Sequence, residues 1–159
     1  MLRAIDRLAD IGAGVAAWLF VMIGGMITFE VVGRYGFTAP TIWAEELSRF
    51  CQVWAVYLGA AYVLRRGHLI RITFVTDRLG RRWRQAAEAF SLLAIMVIAA
   101  IALWWGMLIT IESLAIGRIT TSMLGTPLWM SEIAIPIGAA LLLLQSLALL
   151  IRLTRGEPS

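Results

Sequence analysis

Four apolar stretches, each close to the length that crosses a bilayer, dominate this sequence of 159 residues. A helix needs about 20 consecutive apolar residues to span the hydrocarbon core of a membrane. The stretches run over residues 11–33, 43–64, 86–111 and 127–151, and together they occupy more than half of the chain. The sequence therefore predicts an all-α membrane protein, a single domain of four transmembrane helices.

The composition excludes several other classes of protein. Hydrophobic residues make up 60% of the chain and charged residues 15%, whereas a soluble domain is about 45–50% apolar and about 25% charged. The single cysteine, Cys51, and the single histidine, His68, exclude a disulfide framework, a cysteine-based zinc site and a bis-histidine haem anchor built from this chain alone. We find no phosphate loop, metal-ligand spacing or nucleophile with a base, and so we expect no enzyme activity, cofactor or metal site.

The arginines predict the orientation of the four helices. Eleven fall on one side of the predicted membrane and three on the other. Because positively charged residues concentrate in cytoplasmic segments, both termini and the central segment are expected in the cytoplasm. The basic charge then reports topology rather than nucleic-acid binding. The first side carries Arg3, Arg7, Arg65, Arg66, Arg71, Arg78, Arg81, Arg82, Arg84, Arg152 and Arg155; the second carries Arg34, Arg49 and Arg118.

The central segment between the second and third helices is basic and amphipathic. In residues 71–83, Ile72, Val75, Leu79 and Trp83 recur at near-helical spacing, and charged residues occupy the other face. This pattern predicts an amphipathic helix in the inner interface, although a plain basic loop is the alternative. We expect seven arginines to contact membrane lipids there: Arg65, Arg66, Arg71, Arg78, Arg81, Arg82 and Arg84.

Short motifs predict where the helices begin, bend and pack. Thr41 is a candidate cap for the second helix, and Thr126 with Pro127 for the fourth. Pro136 predicts a kink inside the fourth helix. The small-residue pairs Ala55/Gly59 and Ala134/Gly138 permit close helix approach.

Five charged residues are expected to converge at the outer face. Glu30 and Arg34 are four residues apart, and Glu45 and Glu46 precede Arg49 by four and three, so each acid stands beside an arginine on a helix. Charges near a membrane are costly unless paired and are functional candidates. Three interpretations remain open: a structural clamp, a docking or gating surface for a partner, and direct ion or substrate binding. If the cluster is a structural clamp, Arg49→Ala should weaken assembly of the chain with a partner more than Arg152→Ala does.

The first hairpin also carries recognisable motifs. They are E-x-x-x-R-Y from Glu30, W-x-E-E-x-S-R from Trp43, LGAA from Leu58 and RRGHLIR from Arg65. These motifs, together with LGTPLWMSEIAIPIGAALLLL over residues 124–144, resemble the small membrane subunit of tripartite ATP-independent periplasmic (TRAP) transporters, the DctQ-like family. The two stretches that carry them, residues 30–72 and 124–144, cover about 40% of the chain.

The resemblance implies a role that the composition does not. Such subunits pair with a large membrane subunit, which holds the sodium and substrate sites, in the bacterial inner membrane, and a periplasmic binding protein delivers an organic acid. This chain would then brace the scaffold of the large subunit. Two alternatives are an autonomous four-helix transporter, which requires an acid deep in the first helix, and a membrane anchor for a redox enzyme, which requires at least two axial ligands.

Overall fold

The computed structural model describes residues 2–39, 41–66, 81–122 and 124–155. Its helices are α1 (Leu2–Gly36), α2 (Trp43–Arg65), α3 (Arg81–Ile116), α4 (Trp129–Glu132) and α5 (Ala134–Arg155). Four helical segments are long and apolar enough to cross a membrane, the fourth being α4 and α5 together. The prediction of an all-α protein with four transmembrane helices is confirmed, and the chain is an integral, multi-pass membrane protein.

Helix α5 lies at the centre of the helix packing. The hairpin of α1 and α2 packs against it on one side and α3 on another, and α2 makes the larger part of the hairpin's contact. The end of the bundle that the sequence predicts to face the cytoplasm is here called the inner end, and the opposite one the outer end. At the inner end, Leu64 of α2, Leu92 of α3 and Leu149 of α5 meet in one buried cluster. Most other buried apolar residues are alanines, as expected where helices associate through small side chains in a membrane. Helix α5 therefore joins the hairpin to α3.

Glycines allow the helices to approach closely at two crossings. A Cβ atom added to Gly138 of α5 would lie 2.5 Å from the Cβ atom and 2.7 Å from the carbonyl oxygen of Tyr57 in α2. One added to Gly12 of α1 would lie 2.9 Å from the carbonyl oxygen of Leu58. The small-residue pairs singled out in the sequence are confirmed as packing positions, since Ala55 and Ala134 are both buried.

The helix starts differ from the predicted caps. Ile42 and Leu128 occupy the N-cap positions of α2 and α4, and neither forms a side-chain capping bond. Thr41 instead bonds a carboxylate of α1, and Pro127 forms an antiparallel bridge with Ile119. Both capping predictions are therefore wrong, because Thr41 and Pro127 make contacts across the adjoining loops rather than with the first helical turn.

A helix end and a helix interruption in the outer half of the fold do follow from local chemistry. Gly117 ends α3 with a φ of 67°, and the amide of Arg118 donates to the carbonyl of Ser113 at 3.1 Å, a Schellman turn. Pro136 cannot donate to the carbonyl of Glu132, and the fourth span is interrupted at Ile133, between α4 and α5. The interruption is the structural counterpart of the predicted kink.

The helices extend past the apolar stretches at several ends. Helix α1 begins at Leu2 rather than near residue 11, and α3 at Arg81 rather than near residue 86. The predicted amphipathic helix lies, over residues 71–80, outside the described residues. Trp83, the last residue of its apolar face, belongs to α3 and is exposed.

The orientation remains a prediction, and cysteine labelling tests it. On a Cys51→Ser background, we expect Thr121→Cys to react with a membrane-impermeant maleimide in intact spheroplasts. Arg155→Cys should react only after permeabilisation, because the positive-inside rule places that helix end in the cytoplasm. The reverse pattern of labelling would contradict the orientation.

Candidate functional site

The five charged residues singled out in the sequence make three sets of contacts, and four of them, Glu30, Arg34, Glu45 and Arg49, line one cavity between α1 and α2. In the first, Arg34 Nη2 lies 3.6 Å from Glu30 Oε1 at the end of α1. The other oxygen of Glu30 accepts hydrogen bonds from the backbone amide of Thr41, at 3.0 Å, and from its hydroxyl. Glu30 thus ties the end of α1 to the residue that precedes α2.

The second group fastens the outer loop between α3 and α4 onto α2. Glu46 is buried near the start of α2, and its two oxygens accept hydrogen bonds from the hydroxyls of Thr120 and Ser122. Thr120 also accepts a bond from the amide of Thr126 at 3.0 Å, which holds the turn of that loop. The structure shows these hydroxyl contacts in place of the expected pairing of Glu46 with Arg49, because Glu46 faces the loop.

The third group is the exposed ion pair of Glu45 and Arg49. The two side chains contact each other across one helical turn, and they are 65% and 74% exposed. The pair borders two cavities. One, of about 490 Å³, opens toward Thr120 and Ser131, and the other, of about 330 Å³, lies between α1 and α2. Two of the three predicted pairings are therefore present, and Glu45–Arg49 is the one of the two in which both side chains are exposed.

A second charged network lies at the inner end of the bundle, and the sequence analysis did not predict it. Asp6 of α1 is 9% exposed and pairs with Arg152 of α5. Arg65 of α2 reaches the same carboxylate, Nε to Oδ1 at 3.4 Å, and donates to Asp10 at 2.6 Å. The fully buried Gln145 donates to Asp6 at 3.3 Å. Three helices are thus joined by one inner network.

The positions of the acids could have indicated this network. Asp6 and Asp10 are four residues apart just before the first apolar stretch, and Arg65 and Arg152 close the second and fourth stretches on the same side. Opposite charges at the same membrane level are natural partners, since an unpaired charge is costly there. What the sequence could not supply is the direction in which each helix faces.

The residues of the expected basic loop are distributed differently. Arg65 ends α2 and belongs to the inner network, while Arg66 is exposed with its guanidinium 5.3 Å from the ring centre of Tyr62. Arg81, Arg82 and Arg84 lie in the first turn of α3 rather than in a loop. Arg71 and Arg78 fall outside the described residues.

Four apolar spans, with charged groups that join α1, α2, α5 and the outer loop, define a multi-pass membrane protein. Residues 22–156 match the family of tripartite ATP-independent periplasmic transporters, DctQ component. The chain belongs to this family, and the resemblance noted at the first hairpin is confirmed. The family is a transport component rather than an enzyme, which decides against a redox-enzyme anchor.

Three characterised proteins are similar to the chain. The isethionate TRAP transporter permease protein DctMQ of Oleidesulfovibrio alaskensis is 27% identical over 145 residues, 86% of this chain and 22% of that protein. The sialic acid TRAP transporter permease protein SiaT of Haemophilus influenzae is 29% identical over 50% of this chain and 13% of its own length. The small permease protein SiaQ of Vibrio cholerae is 25% identical over 50% of this chain and 46% of its own length. The aligned region therefore spans less than half of each relative.

Proposed function

We propose that this chain is the small permease subunit of a TRAP transporter and braces the scaffold of a large membrane subunit. The observation that carries the proposal is the family match over residues 22–156, which includes all of α2 to α5. In the proposed complex the large subunit carries out sodium-coupled uptake of an organic acid, which a periplasmic binding protein delivers. The complex would lie in the bacterial inner membrane.

The distribution of charge supports a bracing role. Charged side chains of the described residues gather at the two ends of the bundle, where they fasten α1, α2, α5 and the outer loop to one another. Buried alanines and close glycine contacts pack the helices between those ends. A bundle fastened at both ends suits a part that stays fixed while a partner moves.

The relatives support the substrate class. Isethionate and sialic acid, which two of their names contain, are both organic acids, one a sulfonate and the other a carboxylate. The sites that distinguish one acid from another would lie in the large subunit and the binding protein. Uptake of an organic acid is therefore proposed without a named substrate.

Reconstitution tests the proposed function. Purified alone into liposomes with an inward sodium gradient, the chain should give no uptake of any organic acid. Co-reconstituted with its large subunit and binding protein, it should support uptake that stops when potassium replaces sodium outside. Robust uptake by the chain alone would favour the autonomous transporter, and recovery of the large subunit without this chain would contradict the bracing role.

A further inference from the structure

The outer end of α2 places charge deeper in the membrane than the outer end of α1 does. The uncharged stretch of α1, residues 11–29, has 19 residues and is about 28 Å long, close to the roughly 30 Å of a hydrocarbon core. The uncharged stretch of α2, residues 50–64, has 15 residues and is only about 22 Å long. One end of α2 must therefore bring charge inside the core.

The inner ends of the two helices are level, so the difference falls at the outer end. Arg65 Nη1 lies 2.6 Å from Asp10 Oδ1, and these residues close the two uncharged stretches at that side. Arg49 is then about 6 Å nearer the membrane centre than Glu30. The 330 Å³ cavity supports this depth, because Arg49 lines it together with Ile27 and Ile23, which lie one and two turns from Glu30 toward the membrane centre.

Four polar residues of α2 line this cavity, and Ser48 among them is buried. The other three, Glu45, Arg49 and Gln52, are here called the outer polar stripe. Their spacing of four and three residues places them on one face of the helix. All three side chains are exposed. The ion pair of Glu45 and Arg49 uses only some of their hydrogen-bonding atoms, so several donors and acceptors can still bond a partner. Gln52, one turn deeper, offers an amide toward the membrane.

Neither lipid tails nor a soluble protein can cover such a stripe. Polar and charged groups exposed to hydrocarbon are costly, and they normally face another helix or a polar cavity. A soluble partner stops at the headgroups, above the depth of Gln52. The cover must be a membrane-embedded segment that carries its own polar side chains.

We propose that the outer polar stripe is the face of α2 that packs against a polar transmembrane helix of the large subunit. This rests on the proposed function, since it names the surface through which the small subunit braces its partner. The matching helix offers hydrogen-bonding side chains at the depth of Arg49 and Gln52. The Glu30–Arg34 pair lines the same cavity, but it lies at the membrane boundary, about 6 Å farther from the membrane centre than Arg49, so the proposed contact lies deeper than this pair.

Co-purification of the two membrane subunits tests the proposal with a matched control. Arg49→Gln and Arg34→Gln each remove an exposed arginine from a pair with an acid four residues earlier, and they differ in depth. We expect Arg49→Gln to lower the recovered large subunit by about tenfold, a loss of about 1.4 kcal/mol in binding. Arg34→Gln should change recovery less than about twofold. Thermal unfolding of each variant alone checks that both fold.

Photo-crosslinking supplies the second measurement. With p-benzoylphenylalanine in place of Gln52, the crosslinked product should contain the large subunit, whereas the same label in place of Ile98 on exposed α3 should not give that product. Crosslinks from position 52 to the binding protein or to lipid alone would overturn the proposal, as would equal recovery of the two arginine variants. If the unmodified chain does not recover the large subunit, the proposed function fails, and the stripe proposal fails with it.

Discussion

Replacing Asp6 with alanine should destabilise the protein more than any other single charge removal at its inner end. The substitution leaves the guanidinium of Arg152 without its carboxylate and removes the acceptor of the buried Gln145 amide. Breaking a buried ion pair costs about 3–5 kcal/mol. We expect about 3 kcal/mol, the lower end, because Arg65 keeps its contact with Asp10. Unfolding in mixed micelles with increasing dodecyl sulfate measures the free energy.

Asp10→Ala is the matched control for this measurement. Asp10 lies one turn along the same helix and also pairs with Arg65, but its side chain is 48% exposed. An exposed pair contributes about 0–1 kcal/mol. A double variant, Asp6→Ala with Arg152→Ala, should lose less than the sum of the single losses, since neither charge is then left without the other. Equal losses at Asp6 and Asp10 would contradict a buried network.

For the stability of the chain alone, the same reasoning gives two arginines an order opposite to the one that the sequence predicts for their effect on assembly. Arg49 is 74% exposed, whereas the side chain of Arg152 is 19% exposed and pairs with a buried acid. For the stability of the chain alone, Arg152→Ala should therefore cost more than Arg49→Ala. Any effect of Arg49 on assembly would come from contact with a partner rather than from a clamp within this chain.

Gly138→Ala should separate α5 from α2. The added Cβ would lie 2.5 Å from the Cβ atom and 2.7 Å from the carbonyl oxygen of Tyr57, and neither atom can move without its backbone. Overpacking of this kind costs about 1–3 kcal/mol, and the better helix propensity of alanine offsets about 0.5–1 kcal/mol of it. We expect a clear fall in thermal stability, and a larger one for Gly138→Val.

Gly24→Ala adds the same methyl group where there is room. A Cβ at Gly24 of α1 would meet nothing within 4 Å, so only the gain in helix propensity remains. Stability should rise by about 0.5–1 kcal/mol, opposite in sign to the effect at Gly138. If both substitutions shift the unfolding temperature in the same direction, the close crossing of α2 and α5 is wrong.

What the sequence predicted well depends on distances within one helix. Apolar length gave the four spans, and the four-residue spacing of Glu30 with Arg34 and of Glu45 with Arg49 gave two ion pairs that the structure contains. These follow from helix geometry, which is the same in every protein. No knowledge of packing is needed for them.

What the sequence missed depends on which way each helix faces. Glu46 was placed beside Arg49 by spacing, yet it bonds hydroxyls 74 and 76 residues away. Asp6 and Arg152 are separated by 146 residues. Thr41 had the right chemistry for a cap, but Ile42 occupies the N-cap position and the amide and hydroxyl of Thr41 donate to Glu30. Such contacts depend on the rotation and depth of packed helices, which no local pattern in one sequence specifies.

The central place of α5 has a consequence for biogenesis. A membrane protein is inserted in the order of its synthesis, and the fourth span therefore reaches the bilayer after the first three. Until then α3 lacks its principal packing surface, and Asp6 must rely on Arg65 alone as its arginine partner in this network. The α1–α2 hairpin can form early because the two helices pack on each other, whereas α3 stays without its main packing partner until α5 is inserted. A ribosome stalled before residue 134 would thus leave an insertion intermediate whose unassembled third span is exposed to membrane proteases.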